Sequence, residues 1–533
     1  MNQQNIQIIE EIYPVCRRFL APDAWNRIQD LCTRGLGPEE FLEILSRQAD
    51  IPSLPGYLPE LAQLEWTLNH VKTAVNSSSP PVNQISVNPA LHLLRLSWKN
   101  LTCLLNAHDS GSVPPPESGE EYVIVWRHPR TGGAAVCPAT EEDLLVLKMV
   151  AEEIDAGKVA AEGRVTIHEL DAAIDRAVRR GLLVAPPSGI RRDPSDFPRG
   201  EGIEEDFLSA FVFTLQWHIT QACDLHCRHC YDRSEMQAVE PSQAIAILDD
   251  LYEFCRSRHV RGQVSFSGGN PVLYPHFLEV YRAASERGFN LAILGNPMPE
   301  RLIEKLIAVE PPVFYQVSLE GLPEHNDLIR GHGHFERVLE FLTVLRYHNV
   351  YSMVMLTLTR DNLAQVLPLA EVLRDRTDLF TFNRLSLVGE GAKLQLPAKS
   401  DYTAFLEAYA DAAENNPVIA LKDNLINIVR YKKGLHPFGG CTGYGCGAAF
   451  NFMCVLADGS AHACRKFPSP IGNVLHTSLA ELYDSEAARR YRAGCRACRS
   501  CPVRPVCGGC LAIAYSLGLD VFEERDPYCF MSE

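Results

Sequence analysis

The chain has no run of 18 or more apolar residues, and its most apolar stretch, near residue 95, is interrupted by Arg95 and Lys99. A helical membrane span is therefore not expected. The amino terminus, Met1-Asn-Gln-Gln-Asn-Ile6, lacks a basic flank followed by an apolar segment, so no secretory signal is expected and the expected compartment is the cytoplasm. Positive charge is also scarce: 50 Lys and Arg face 66 Asp and Glu, a formal net charge of -16. General nucleic-acid binding relies on a surplus of Lys and Arg against phosphate, and no nucleic-acid partner is expected. With 46% hydrophobic and 22% charged residues the composition is that of an ordinary globular protein. At 533 residues it is too long for one core, and three or four domains are expected.

Cysteine is what the chain has in excess. Of 18 cysteines, 14 lie between Cys223 and Cys529. In a reducing compartment such clusters mean metal more often than disulfides.

Residues 1–110 read as a helical region. Pro22-Asp23 opens a stripe of Trp25, Ile28 and Leu31, and Pro38-Glu39-Glu40 opens another with Phe41, Leu42 and Leu45. Segments Ser77–Pro81 and Ser110–Pro116 read as loops. A second region, 119–190, holds a hairpin, with Tyr122–Trp126 and Ala134–Cys137 flanking Arg130-Thr-Gly-Gly133. A helix from about Thr140 to Ile154 follows, then a capping box at Thr166-Ile-His-Glu169 with a stripe of Leu170, Ala173, Ile174 and Ala177. That order suggests a winged-helix domain. Residues 188–206, charged and rich in Gly and Pro, read as a linker.

From 207 to 400, apolar strands alternate with helical stripes. The strands are Phe211–Leu215, Val264–Ser267, Leu291–Leu294, Phe314–Leu319, Tyr351–Thr359 and Phe382–Leu387. The fold class is α/β, a parallel sheet or incomplete barrel with its site at the carboxy-terminal strand ends.

Just after the first strand comes Cys223-x3-Cys227-x2-Cys230. Three thiolates can hold three irons of a [4Fe–4S] cube and leave the fourth open. They can also bind zinc, with His226 or His229 as fourth ligand. The triad resembles the signature of the radical S-adenosylmethionine (SAM) superfamily, except that His229 stands where an aromatic residue is usual. The resemblance implies a partial (β/α)6 barrel in which SAM chelates the open iron and is cleaved to a 5′-deoxyadenosyl radical. It also assigns SAM contacts. Ser267-Gly268-Gly269-Asn270-Pro271 follows the second strand at the place of a Gly-Gly-Glu-Pro motif, with Asn270 replacing the acid. Asn296 follows the third strand; Ser318, in Val317-Ser-Leu-Glu-Gly321, closes the fourth, and Arg330 comes soon after. Taken singly, a Gly pair is more often a turn and an Arg more often a solvated charge.

From 401 to 533 the spacing Cys441-x4-Cys446, Cys464, Cys498-x2-Cys501-x5-Cys507-x2-Cys510 and Cys529 resembles the SPASM domain of peptide-modifying radical SAM enzymes. The resemblance implies two auxiliary [4Fe–4S] clusters, one on Cys441, Cys446, Cys464 and Cys510, the other on Cys498, Cys501, Cys507 and Cys529. Cys507-x2-Cys510 is one residue shorter than usual, a change that Gly508-Gly509 can absorb. Cys454 and Cys495 are spare thiols beside the pattern, and a zinc ribbon is the competing reading of this segment.

The winged-helix segment resembles the PqqD-like element that binds the leader of a ribosomally made precursor peptide. By that resemblance a leader would add a strand to a sheet edge over residues 120–187. Residues Tyr13-Pro-Val-Cys-Arg-Arg-Phe19 resemble the front of selenobiotic or thio(seleno)oxazole maturases. Together these resemblances imply a radical SAM peptide maturase served by a ferredoxin- or flavodoxin-type reductant. The alternatives are a maturase of a folded protein of the sulfatase-activator type, a non-catalytic iron–sulfur carrier, and a DNA-binding redox regulator.

Overall fold

The computed structural model describes residues 2–33, 41–43, 45, 54–74, 82–106, 114–154, 156–163, 165, 167–200 and 202–531. The Pro38–Glu40 helix opening, the Ser77–Pro81 loop, residues 110–113 of the second loop and Thr166 of the expected capping box lie outside these. The chain forms two compact units, Met1–Pro187 and Ser188–Glu533.

In the first unit, strand β3 (Glu117–Arg127) is the spine. It pairs antiparallel with β2 (Leu91–Lys99) on one side and β4 (Ala134–Pro138) on the other. Its side chains alternate, as the two-residue period of a strand requires. Val123 and Val125 face a core with Trp25, Leu58, Leu61 and Leu64, whereas Ile124 and Trp126 face Val146, Leu147, Ala173 and Ala177. Helices therefore cover both faces of the sheet: Pro22–Thr33 and Leu58–Thr73 on one, Glu141–Ala151 and Ile167–Arg179 on the other. The β3–β4 hairpin is where the sequence places it. A capping box in this unit is at Thr140, whose hydroxyl accepts the Asp143 N–H while Asp143 accepts the Thr140 N–H, both at 3.1 Å. Tyr13, Val15 and Cys16 are core residues, and the buried Glu65 carboxylate accepts the Val15 and Cys16 N–H groups at 2.7 and 2.8 Å.

Two expectations change here. Residues 1–110 are not wholly helical: β1 (Ser86–Val87) and β2 lie among them, and the expected boundary at 110–119 falls between paired strands. The polar residues Arg95 and Lys99 that break the apolar run sit on a strand with a solvated side. Short β1 pairs with β5 (Leu183–Val184), which closes the unit across nearly 100 residues of sequence.

In the second unit, six parallel strands stand in sequence order: β6 (Val212–Thr220), β7 (Arg261–Gly268), β8 (Asn290–Leu294), β9 (Phe314–Ser318), β10 (Ser352–Leu358) and β11 (Leu379–Arg384). This is the partial (β/α)6 barrel. Helices such as Pro241–Ser257 and His334–Tyr347 bury the expected stripes, Ala244, Ile247, Leu248 and Leu251 in the first and Phe335, Val338 and Leu342 in the second. The sheet continues beyond β6: β12 (Phe452–Val455) pairs parallel with it, and β13 (Ser460–His462) and β14 (Pro470–Asn473) follow antiparallel. The Cys-rich region is thus welded to the barrel by main-chain hydrogen bonds.

The expected linker at 188–206 is no free tether. Ile190, Phe197 and Ile203 are buried, Ala210 N–H donates to Ile190 O, and Gly200 lies so close to Pro502 O that a Cβ would meet it at 2.7 Å. Its charges satisfy carbonyls of the Cys-rich region, so a composition typical of a linker serves a docked strap. Among the described residues, no helix is long and apolar enough to cross a membrane.

Asn88 joins the small strands of the first unit: its amide donates to Arg127 O and Gly181 O at 2.8 and 2.7 Å, and its Oδ1 accepts the Ala90 N–H at 2.9 Å. Asn88→Ala removes three hydrogen bonds, one buried and two part-buried, and is expected to cost about 2–4 kcal/mol, read by chemical denaturation of the first-unit transition. A fragment of residues 119–190, which leaves β3 without β2, is expected to lack the cooperative transition that the full chain shows.

Candidate active site

The triad loop starts where β6 ends. There the backbone of β7's end reaches across: Gly269 N–H donates to Thr220 O at 2.9 Å and Asn270 N–H to Ala222 O at 2.7 Å. A Cβ on Gly268 would lie 2.2 Å from Thr220 O, and one on Gly269 would lie 2.3 Å from Ala222 O. Gly268 also has φ +136°. The Gly-Gly pair is therefore demanded by this backbone approach as well as by any ligand.

A cavity of about 790 Å³ opens at the carboxy-terminal strand ends. Its walls include Cys223, Cys227, Cys230, Gly268, Gly269, Asn296, Ser318 and Arg330, together with Tyr231, Arg384 and Arg465. Asn270 is the one expected contact that does not line it. Only 2% exposed, Asn270 sits behind the wall and donates to Asp224 Oδ1 at 3.0 Å; the same oxygen accepts the Asn296 amide at 2.6 Å. Asn270 Oδ1 is buried without a hydrogen-bond partner. Asn296 Nδ2 also lies 3.7 Å from Cys223 Sγ. Asp224 thus clamps the first cysteine of the triad from behind, a role the sequence reading did not give it.

Arg330 is not a surface charge. Its Nε and one terminal nitrogen donate to Glu320 Oε1 at 2.8 and 2.6 Å, and the other terminal nitrogen lies 3.7 Å from Cys227 Sγ. Glu320, 1% exposed, also accepts the Thr357 N–H from β10 at 2.8 Å. Despite burial, these cations and donors hold its carboxyl below the usual range. His229 packs against the pair, and burial pushes its imidazole down to about 4, with Arg330 and Arg233 adding to the effect against Glu320. It is a neutral ring at neutral pH, which is what an aromatic residue at that place supplies. Its Nε2 faces Glu320 at 3.5 Å.

Deeper in the wall, Tyr231 OH shares a 2.9 Å hydrogen bond with His218, whose imidazole burial lowers to about 3. Arg465, next to Cys464, donates to Ser267 at 2.8 Å and joins the Cys-rich region to the end of β7.

The remaining cysteines form two neighbourhoods. Cys446 lies within electrostatic reach of Cys510, Cys464 and Cys441; burial pushes its thiol up to about 12 and that of Cys464 to about 11. Backbone anchors fix the group: Cys441 N–H to Asn424 (2.7 Å), Cys464 N–H to Ser469 (3.0 Å) and Cys510 N–H to Asp526 (2.9 Å). In the other neighbourhood Cys507 feels Cys501 and Cys529, and Cys498 feels Cys507 and Cys501. Gly508 and Gly509, at φ +66° and +65°, turn the chain through left-handed backbone between Cys507 and Cys510. Cys495 hydrogen-bonds with Cys498, which lowers its thiol to about 6. Cys454 is fully buried on β12.

These thiols suit iron–sulfur clusters better than zinc. A tetrahedral zinc ion with Zn–S bonds of about 2.3 Å draws its thiolates to about 3.8 Å of one another. Among the described residues, the one group of three or more His, Cys, Asp or Glu ligand atoms lying within 4.8 Å of one another is Glu300, Glu304 and His348, far in sequence from every cysteine set. Among the described residues no three cysteine sulfurs lie that close together. Burial favours the neutral thiol, so metal must supply the charge that stabilises the thiolates.

A sequence profile of the Radical SAM superfamily matches residues 217–373, which carry the triad and the strand ends around the cavity. The chain is a radical SAM enzyme. A second profile, SPASM, an iron–sulfur cluster-binding domain, matches residues 446–510. As a radical SAM/SPASM enzyme it uses a [4Fe–4S] cluster with SAM, and auxiliary iron–sulfur clusters in its carboxy-terminal extension. An AdoMet-dependent heme synthase of Methanosarcina barkeri is 25% identical over 340 residues, covering 59% of this chain and 95% of that protein. The antilisterial bacteriocin subtilosin biosynthesis protein AlbA of Bacillus subtilis is 24% identical over 316 residues, covering 55% of this chain and 66% of AlbA. In fold, the chain is similar to Streptococcus suis SuiB bound to precursor peptide SuiA, with TM-score 0.50 and 16% identity over 77% of this chain and 96% of that one.

The sequence reading missed Asp224, Glu320, Arg465 and Asp526 as members of the site. Asp224 had a signal, standing beside Cys223; Glu320 had one too, in the turn after β9. Glu320→Gln leaves Arg330 buried without its counter-charge and is expected to cost about 3–5 kcal/mol by thermal or chemical denaturation, with SAM cleavage reduced in parallel. Gly269→Ala forces the triad loop off β7. It is expected to lose triad-bound iron, measured by iron content, while the auxiliary clusters stay loaded.

Proposed function

We propose that this enzyme is a maturase that modifies a ribosomally made precursor peptide. The first unit carries the reading: its sheet runs β2-β3-β4, so β2 and β4 are edge strands able to accept a peptide strand. AlbA, a bacteriocin biosynthesis protein, and a mycofactocin maturase of Mycolicibacterium smegmatis, 26% identical over 335 residues, support it among the relatives. A leader docks on this sheet, within about residues 85–187, and the core peptide enters the cavity of the second unit. The resemblance of Tyr13–Phe19 to selenobiotic maturases favours a core peptide containing Cys or Sec.

Cys223, Cys227 and Cys230 hold the SAM-binding cluster. Cys441, Cys446, Cys464 and Cys510 hold one auxiliary cluster, and Cys498, Cys501, Cys507 and Cys529 the other. A cluster on these three cysteines would supply one electron for the reductive cleavage of SAM, with methionine leaving, and so the radical chemistry that removes a hydrogen atom from the substrate. The chain's own groups position that event. Asp224, through Asn270 and Asn296, steadies Cys223, and Arg330 with Glu320 steadies Cys227. Gly268, Gly269 and Ser318 leave room for SAM along the strand ends. A ferredoxin- or flavodoxin-type protein supplies the electron.

A folded-protein substrate, as for a sulfatase activator, would have no use for the first unit. A porphyrin substrate is the reading that the heme synthase relative favours.

The anaerobically reconstituted enzyme with SAM and dithionite is expected to release 5′-deoxyadenosine, and Cys223→Ala to release none. A small peptide encoded beside the gene is expected to bind the full chain through its leader and to gain a mass change in its core. Peptide left unbound and unmodified, with an iron porphyrin precursor consumed instead, decides for the heme-type reading.

A further inference from the structure

Three arginines of the second unit are buried or half-buried without an acid. Arg192, on the strap, is 5% exposed and lies between the rings of Phe197 (4.4 Å) and Phe450 (3.8 Å). It donates to the carbonyls of Arg492 (2.9 Å), Tyr444 (2.9 Å) and Cys446 (2.6 Å). Arg504, 4% exposed, covers the same Phe197 ring at 4.5 Å and donates to Ala493 O. Arg492 stacks on Tyr483 at 4.0 Å and donates to Ala449 O and Tyr483 O. Arg192 Nε and one terminal nitrogen of Arg504 are buried with no hydrogen-bond partner.

Among the described residues none of the three forms an ion pair. The acid that Arg504 feels, Asp196, is paired with Arg499 at 2.7 Å. Arg192 instead rests on the carbonyl of Cys446, and Arg504 stands between Cys501 and Cys507, its backbone N–H donating to Cys501 O at 3.1 Å and its carbonyl accepting the Cys507 N–H at 3.2 Å, so each adjoins a different cysteine neighbourhood. Three cations held together in low dielectric are costly unless an anion balances them. A [4Fe–4S] cube held by four thiolates is such an anion, and its net negative charge grows by one on reduction.

We propose that Arg192 and Arg504 are counter-cations of the auxiliary clusters, one for each cluster. They favour the reduced, more negative state of each cluster, and the clusters in turn hold the 188–210 strap in place. This rests on the assignment of the two cysteine sets to clusters. Hydrogen bonds to carbonyls alone would make these arginines purely structural, so the test must separate charge from packing.

In a full-length chain with the triad replaced by Ala, so that the auxiliary clusters alone contribute, redox titration followed by electron paramagnetic resonance reads their midpoints. Arg192→Gln is expected to shift one midpoint to lower potential and Arg504→Gln the other, with Arg192→Lys restoring most of the shift. Protease cleavage within residues 188–206 is expected to rise when clusters are removed from wild type. In the cluster-free chain Arg192→Gln is expected to lower the melting temperature less than in the loaded chain. Unchanged midpoints in both Gln variants, or equal melting losses with and without clusters, overturn the counter-cation role. If Arg192→Gln fails to load iron, Arg504→Gln at the other cluster gives the same reading. A wild-type chain that takes up only about four irons in place of the about twelve of three cubes overturns the cluster assignment itself, and the proposal with it.

Discussion

Two carbonyl oxygens, of Thr220 and Ala222, accept the N–H groups of Gly269 and Asn270, and the cavity is arranged around that approach. It needs two residues without Cβ atoms at the end of β7, because the backbones come closer than any side chain would permit. It fixes the start of the triad loop against the sheet, so Cys223 is positioned by main chain and not by its own packing. The remaining supports are then short: Asn270 and Asn296 converge on Asp224, and Arg330 with Glu320 ties Cys227 to β9 and β10. A site built from the ends of six strands is in this way no looser than the sheet that carries them.

Charge is handled differently at the two ends of the second unit. Beside the triad Arg330 is paired with Glu320, and the exposed Asp224 accepts two amides. The neutral His229 adds no charge to the cavity wall, whereas Arg465 brings a cation to it that forms no ion pair among the described residues. Around the auxiliary cysteines the balance is left open, with arginines facing thiols and few acids. That contrast is physically sensible. An active site must accept ligands of changing charge, whereas a cluster without an open iron can be given a permanent counter-charge in its surroundings.

Much of this was legible from residue pattern. The six barrel strands are short apolar runs separated by helical stripes, and buried parallel strands look like that in any sequence. The triad and the SPASM-like spacing are dense enough in one scarce residue type to stand out. What was not legible has identifiable causes. Strand β2 was hidden because Leu91–Lys99 mixes apolar and basic residues, and its partner β3 lies across a loop. The strap at 188–210 has the composition of a linker because its charged side chains, Arg192 above all, satisfy carbonyls that sequence cannot locate. Asn270 looked like a weakened ligand contact, yet its amide serves Asp224, a neighbour 46 residues away whose approach only the folded sheet creates.

The same limit applies to Asp526, whose position makes it the join between the cavity wall and the auxiliary cysteines. Arg384, at the end of β11, lines the cavity and donates to Asp526 at 3.0 and 2.6 Å and to Asp423 at 2.9 Å. Asp526 in turn accepts the Cys510 N–H through its carboxylate and the Cys529 N–H through its carbonyl, both at 2.9 Å. Cys510 and Cys529 belong to different cysteine neighbourhoods, so one residue steadies both and is bonded to the cavity wall. Two carboxylates on one buried guanidinium are a poor way to gain stability, since desolvation offsets much of the attraction. Their geometry, however, admits few alternatives: a planar cation with both edges occupied cannot rotate without breaking several hydrogen bonds. The arrangement is better understood as fixing distance and orientation between the cavity wall and the two cysteine neighbourhoods.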